Sequence, residues 1–307
     1  MPDEVHGMIE ARASKSFGAA ESPARAGDSA RAGRGAHSPL MWLNLVCLDA
    51  PLVAVSWQSL FARSFGIPVS AGGTLALFLT AWLIYLGDRF GDALTVDLRA
   101  VSAARQRFCL AHRVAWLWSI GVVAVANLVV IWTLLEPRQL MLGAAIGVCA
   151  AAYLAVNRFA PGVWRVVPAK EISIGSLFAA GAMVPLAAGL TSAMWSLWLQ
   201  FAGLCALNCV SIAVWERYVD VAQRRISLAT AFPRAAIWLL GVLVFFGLAS
   251  SALALRDPGN WEVAVCIGTS TLLLSALHLF RRRLEPNVRT ALADIALLTP
   301  GVFIILR

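Results

Sequence analysis

The sequence predicts an all-α polytopic membrane protein, a bundle of about nine transmembrane helices. Three observations carry that expectation. The 307 residues are 60% hydrophobic and only 14% charged, with a mean hydropathy of +0.75, an apolar excess beyond ordinary soluble domains. Apolar residues gather in runs of about 20, the length that crosses a hydrocarbon core of ~30 Å at ~1.5 Å per residue. The basic residues are dense in every second connection between those runs. The formal net charge of +8 therefore reads as membrane topology and implies no nucleic-acid partner.

Residues 1–38 are rich in Ala, Gly, Ser and Arg, of mixed charge and without a sustained apolar stretch. They read as a disordered cytoplasmic N-terminal tail. Asp3, Glu4, Glu10, Glu21 and Asp28 argue against a transit peptide. Residues 39–307 form the membrane domain, with apolar segments at 39–62, 68–88, 114–135, 139–158, 171–191, 194–216, 233–254, 261–280 and 287–306. Gly66 and Pro68, Pro137, Pro161 and Gly162, and Pro258 and Gly259 punctuate them. The segments show no pair of matched, interrupted helices of the kind that marks transporter sites.

With the N-terminus inside, the inner connections hold 21 of the 25 Lys and Arg, leaving Arg63, Arg138, Arg256 and Arg307 outside. That bias predicts a cytoplasmic (inner) membrane protein with its N-terminus in the cytoplasm and its C-terminus outside. Trp42, Trp116, Trp164, Trp195 and Trp261 lie near segment ends, as an aromatic belt would. The six cysteines lack C-x-x-C spacing and read as small buried residues, and His278 reads as a packed or interfacial histidine.

The acids hold the functional signal. Asp88 and Asp92 end the second segment one helical turn apart, and Glu216 and Asp220 end the sixth at the same spacing. A single i,i+4 acid pair at a helix end is ordinarily a solvated surface feature. Two such pairs on the same side, each with Arg directly after its first acid, point to more. Oxygen ligands from two carboxylate pairs suit Mg²⁺, which typically bridges carboxylates to substrate phosphates. Arg105, Arg107, His112 and Arg113 follow the first pair, and arginines clamp phosphate oxygens. Lys170 and Glu171 open the fifth segment. Asn208 lies deeper on the face of Glu216, and Tyr85 one turn before Asp88. Asp49 stands alone, ~14 Å into the first segment. An unpaired Asp at that depth costs on the order of 2.5 to 3.5 kcal/mol, so it must face the bundle interior, protonated or paired.

Together these residues resemble the UbiA superfamily of intramembrane prenyltransferases. The family's first motif, N-D-x-x-D-x-x-x-D, is similar to Ile84-Tyr85-Leu86-Gly87-Asp88-Arg89-Phe90-Gly91-Asp92, with Ile84 and Tyr85 in place of the leading Asn-Asp. Its second motif, D-x-x-x-D after a buried Asn, is similar to Asn208 followed by Glu216-Arg217-Tyr218-Val219-Asp220. The resemblance extends in organisation over residues 40–307. It implies Mg²⁺ held by Asp88, Asp92, Glu216 and Asp220, and an isoprenyl diphosphate bound by Lys170, Arg105, Arg107, Arg113 and Asn208. The implied reaction transfers the prenyl group to a lipophilic, aromatic acceptor. A catalytically degenerate isoprenoid-binding protein and a transporter with Asp49 on its ion path are the alternatives.

Overall fold

The computed structural model describes residues 39–167, 169–256 and 260–305, and the tail expected over residues 1–38 lies outside them. The described residues are helical, with no strand. Seven helices are long and apolar enough to cross a membrane. They are α3 (Ala71–Leu94), α5 (Arg113–Leu134), α6 (Pro137–Phe159), α8 (Lys170–Met183, continued by a 3-10 turn over Val184–Gly189), α9 (Met194–Trp215), α12 (Ala235–Arg256) and α13 (Trp261–Leu279). They match the second to eighth apolar segments. Their outward faces are apolar, as with Trp132, Trp118 and Phe245, which suits a lipid surround and not water.

The first and last segments are built differently, because each is interrupted. The first is α1 (Pro39–Leu45) followed by α2 (Asp49–Ser64), and the last is α14 (Pro286–Ile295) followed by α15 (Pro300–Ile305). Proline explains both breaks. Pro51 has no N–H for the carbonyl of Cys47, and Pro300 none for that of Ala296. Each ring also crowds the carbonyl four residues back. At the first break Cys47 takes a left-handed conformation, φ 59°. The sequence expectation that matched interrupted helices are lacking is corrected here: Pro51 and Pro300 sit inside the first and last segments and mark them.

Broken helices expose backbone groups that a membrane interior cannot hydrate. Two indoles meet that need. Trp82 Nε1 donates to Val46 O at 3.0 Å in the first break, and Trp57 Nε1 donates to Leu297 O at 2.8 Å in the last. Trp57 also stacks on Phe201, ring centroids 4.4 Å apart, at the heart of the main apolar core with Phe61, Leu204 and Ile267.

The tightest helix pair is α8 on α9. A Cβ at Gly175 would fall 2.5 Å from the backbone nitrogen of Ala206, so only glycine permits that approach. By contrast α6 is loosely held, with Gln139 its one buried residue, bonded to Pro185 O at 3.1 Å. Of the five tryptophans expected in a belt, Trp42, Trp195 and Trp261 are exposed, whereas Trp116 and Trp164 are buried. Trp116 instead donates to Leu86 O at 3.0 Å, tying α5 to α3. Four cysteines are buried, Cys209 is partly so and Cys149 is exposed, all as free thiols. His278 is packed and accepts the Trp215 indole N–H at 3.1 Å.

Candidate functional site

Arg225, from the stretch that follows the second acid pair, reaches the first. Four short helices lie among the connections: α4 (Ala104–Ala111), α7 (Val163–Val166), α10 (Arg217–Ala222) and α11 (Leu228–Ala231). After α10 the chain turns at Arg224, φ 54°. The Arg225 backbone N–H donates to Asp220 O at 2.8 Å. Its guanidinium forms a close ion pair with Asp92 and also donates to Asp92 O at 2.8 Å. One residue thus touches both acid motifs.

Lys170 and Glu171 position that arginine. Lys170 Nζ donates to Ile226 O at 3.2 Å, and Glu171 Oε1 accepts the Leu228 N–H at 2.8 Å, satisfying an orphan donor at the start of α11. Gln223 fastens the same loop to the opposite side, exchanging hydrogen bonds with Asp97 and reaching Val101 O at 2.9 Å. Arg225 is a residue that sequence reasoning counted only as a topology charge. Its signal was its place five residues after Asp220, beyond a turn that α10 cannot continue.

Glu216 caps the end of α9, and both of its carboxylate oxygens are taken by Arg105 of α4. Arg105 Nη1 lies 2.6 Å from Oε1, Nη2 pairs closely with Oε2, and Thr290 of α14 adds a bond to Oε1 at 2.8 Å. Burial opposes ionisation of Glu216, but the Arg105 charge and these hydrogen bonds outweigh it and hold the carboxyl below its usual range. Arg105 is raised above its usual value against its own burial, because Glu216 faces it. Burial, reinforced by Glu216, pushes Asp220 from 3.8 up to about 6 despite a hydrogen bond with Ser227.

Asp88 is exposed, and the charges bearing on it come from Asp92, Arg89, Lys170 and Arg225. Asp88, Asp92, Asp220, Lys170 and Arg225 therefore belong to one place, with Arg105 and Glu216 beside it. Other expected site residues lie elsewhere. Arg107 is exposed and bonds Ser102 O at 2.8 Å. Arg113 is exposed at the start of α5. Tyr85 packs with Leu86, Cys47 and Trp116 in a satellite core. Asn208 and Asp49 meet deeper in the bundle, around Asp294.

The donor set fits a divalent cation only in part. Glu216 is fully engaged by Arg105 and Thr290, and Asp92 by Arg225. Among the described residues no three His, Cys, Asp or Glu side chains stand close enough to hold a metal ion. Asp88 and Asp220 are the carboxylates left without an arginine partner.

The class these features define is a polytopic helical membrane protein with an acid and arginine cluster at one end of its bundle. No family model, curated protein or solved structure matches the chain.

Proposed function

We propose that this protein is a UbiA-like intramembrane prenyltransferase of the cytoplasmic membrane. It binds an isoprenyl diphosphate at the arginine-rich end and passes the prenyl group to a lipophilic, aromatic acceptor. The observation that carries this reading is Arg225, which brings acid motifs from opposite halves of the chain to one place among Arg89, Arg105 and Lys170. Preorganised cations at that point stabilise the leaving diphosphate as the allylic C–O bond breaks. The apolar bundle keeps water from the carbocation. Mg²⁺, if held, would rest on Asp88 and Asp220, the carboxylates without an arginine partner, and supply further neutralisation of the phosphates. Glu216 and Arg105 instead brace α4 and α14 around the site.

The same proposal includes nine crossings, with the N-terminus in the cytoplasm and the C-terminus outside. Their helical residues alone, 39–45 with 49–64 and 286–295 with 300–305, give about 34 Å and about 24 Å at ~1.5 Å per residue, and the residues of each break add to that reach. The test uses the full chain in lipid nanodiscs with radiolabelled isoprenyl diphosphates of several lengths, with Mg²⁺ or EDTA. Saturable binding that falls at least tenfold in Asp88→Asn, together with Mg²⁺-dependent prenyl transfer or hydrolysis, is expected. No turnover at any chain length overturns the transfer, and binding unaffected by Asp88→Asn overturns the site.

The interrupted first and last segments favour a second reading, a transporter, since discontinuous helices commonly frame substrate sites. Substrate uptake into proteoliposomes that is lost in Asp49→Asn distinguishes it from the first.

A further inference from the structure

The two helix breaks face each other across a pair of buried carboxyls. Asp49 opens α2 and is 1% exposed; Asp294 lies near the end of α14 and is 9% exposed. Counted along their helices they sit at similar depth, ~14 Å past Leu40 and ~12 Å past Pro286. Asn44 Nδ2 donates to both, at 2.7 Å to Asp49 Oδ2 and 3.1 Å to Asp294 Oδ2. The Ala50 N–H donates to Asp49 Oδ1 at 2.9 Å, and Asn208 Nδ2 to Asp294 Oδ1 at 2.9 Å. One amide nitrogen thus bridges a carboxyl oxygen of each acid.

Every donor in this cluster is neutral. Two carboxylates at such a distance in an apolar interior cannot both stay charged without a cation. Arg89 of α3 lies within electrostatic reach but makes no bond to either, and its Nη1 is buried without a partner. The other titratable groups that face the pair are Tyr85 of α3, Arg105 of α4, Cys47 in the first break and Cys209 of α9. His278 of α13 turns to Trp215 instead. The missing cation is best supplied by a proton.

Asn208 provides an independent observation. It is 6% exposed, its amide is aimed at Asp294, and its Oδ1 is buried without a partner. Rotating that amide by a half-turn sets Oδ1 against Asp294 Oδ1 as an acceptor for a carboxyl O–H. The side chain therefore serves either protonation state of Asp294. A small recess is lined both by Asn44, whose amide bridges the two acids, and by Arg105 of the arginine-rich end, with Leu45, Asn287 and Ala291.

We propose that Asp49 and Asp294 form a proton-binding site in which one shared proton joins the first and last segments of the bundle, exchanging with the arginine-rich side through the recess at Asn44. In the loaded state the proton is bonded to one carboxyl and hydrogen-bonded to the other. In the unloaded state two like charges push the breaks apart. The site stands independently of what the arginine-rich end binds.

Infrared spectroscopy of the full chain in nanodiscs tests this. At neutral pH the wild type is expected to show a protonated-carboxyl stretch that titrates away as one proton per chain at alkaline pH. Asp49→Asn/Asp294→Asn, which keeps the shape of the pair, loses that band. Asn208→Leu, which keeps both carboxyls, shifts its frequency. A wild type without the band at neutral pH, or a double variant that retains it unchanged, overturns the proposal. So does a pair whose thermal stability at neutral pH requires added Na⁺ or K⁺, which would make the site a metal-ion site.

Discussion

The protein holds two acidic clusters that share α14 yet solve the charge problem in opposite ways. One turn of that helix separates Thr290, which bonds Glu216, from Asp294, which bonds Asn44 and Asn208. At the arginine-rich end Glu216 and Asp92 each have a guanidinium, Glu216 in a mostly buried pair and Asp92 in a half-exposed one. One turn deeper, Asp49 and Asp294 have only amides. Ion pairing suits groups near water, where charges are cheap and arginine's fork matches a carboxylate. Deeper in the bundle each added charge is expensive, and neutral donors with a proton remove it. The contrast separates a region fit to meet a charged ligand from one fit to report protonation.

The strongest break in this contrast comes from Arg105→Ala. It leaves Glu216 among buried neighbours without its bidentate partner, a loss worth roughly 3 to 5 kcal/mol for a buried pair. The expected result is a large drop in thermal unfolding temperature, with much of it restored in Arg105→Ala/Glu216→Gln. Equal instability of the single and double variants would show that the pair is not the source.

A moderate effect is expected from pH. The folded protein holds the Asp220 proton more tightly than the unfolded chain, since its value rises from 3.8 to about 6. That contribution to stability is full at lower pH and disappears as pH climbs between these values. Glu216 acts the other way: its stabilising contribution is present above the ordinary glutamate range and is lost as pH falls through its lowered value. Denaturant titrations from about pH 4 to pH 7 should therefore show that Asp220→Asn removes a decline in stability with rising pH. An identical slope in the variant contradicts this assignment.

The smallest expected change in stability is that of Arg225→Gln. Its partner Asp92 has a side chain 43% exposed, and such pairs contribute about 0 to 1 kcal/mol. Binding should respond more than stability. On the proposed function, diphosphate affinity falls several-fold while the unfolding temperature barely moves. A reversed outcome, with stability lost and affinity kept, would make Arg225 a brace for the two acid motifs and nothing more.

Much of this was legible in the chain itself. Hydropathy sets the seven long spans, because a run of apolar side chains determines its own solvent whatever packs beside it. The depth of Asp49 was equally local, and so was the conclusion that it must be paired or protonated. Partners were a different matter. Asp294 resembled another interfacial acid, and Arg225 another topology charge, because spacing along the chain says nothing of which helices become neighbours. Asn44 and Asp294 are 250 positions apart, and Arg225 and Asp92 are 133 apart. Pro51 and Pro300 stand in the sequence, but the first and last segments read as unbroken, and nothing in their spacing shows that the two breaks come together. The sequence by itself determined which segments are apolar enough to cross a membrane and that Asp49 must be paired or protonated. Tertiary packing decided what surrounds it, since only the meeting of the first and last segments places the two carboxyls around one amide.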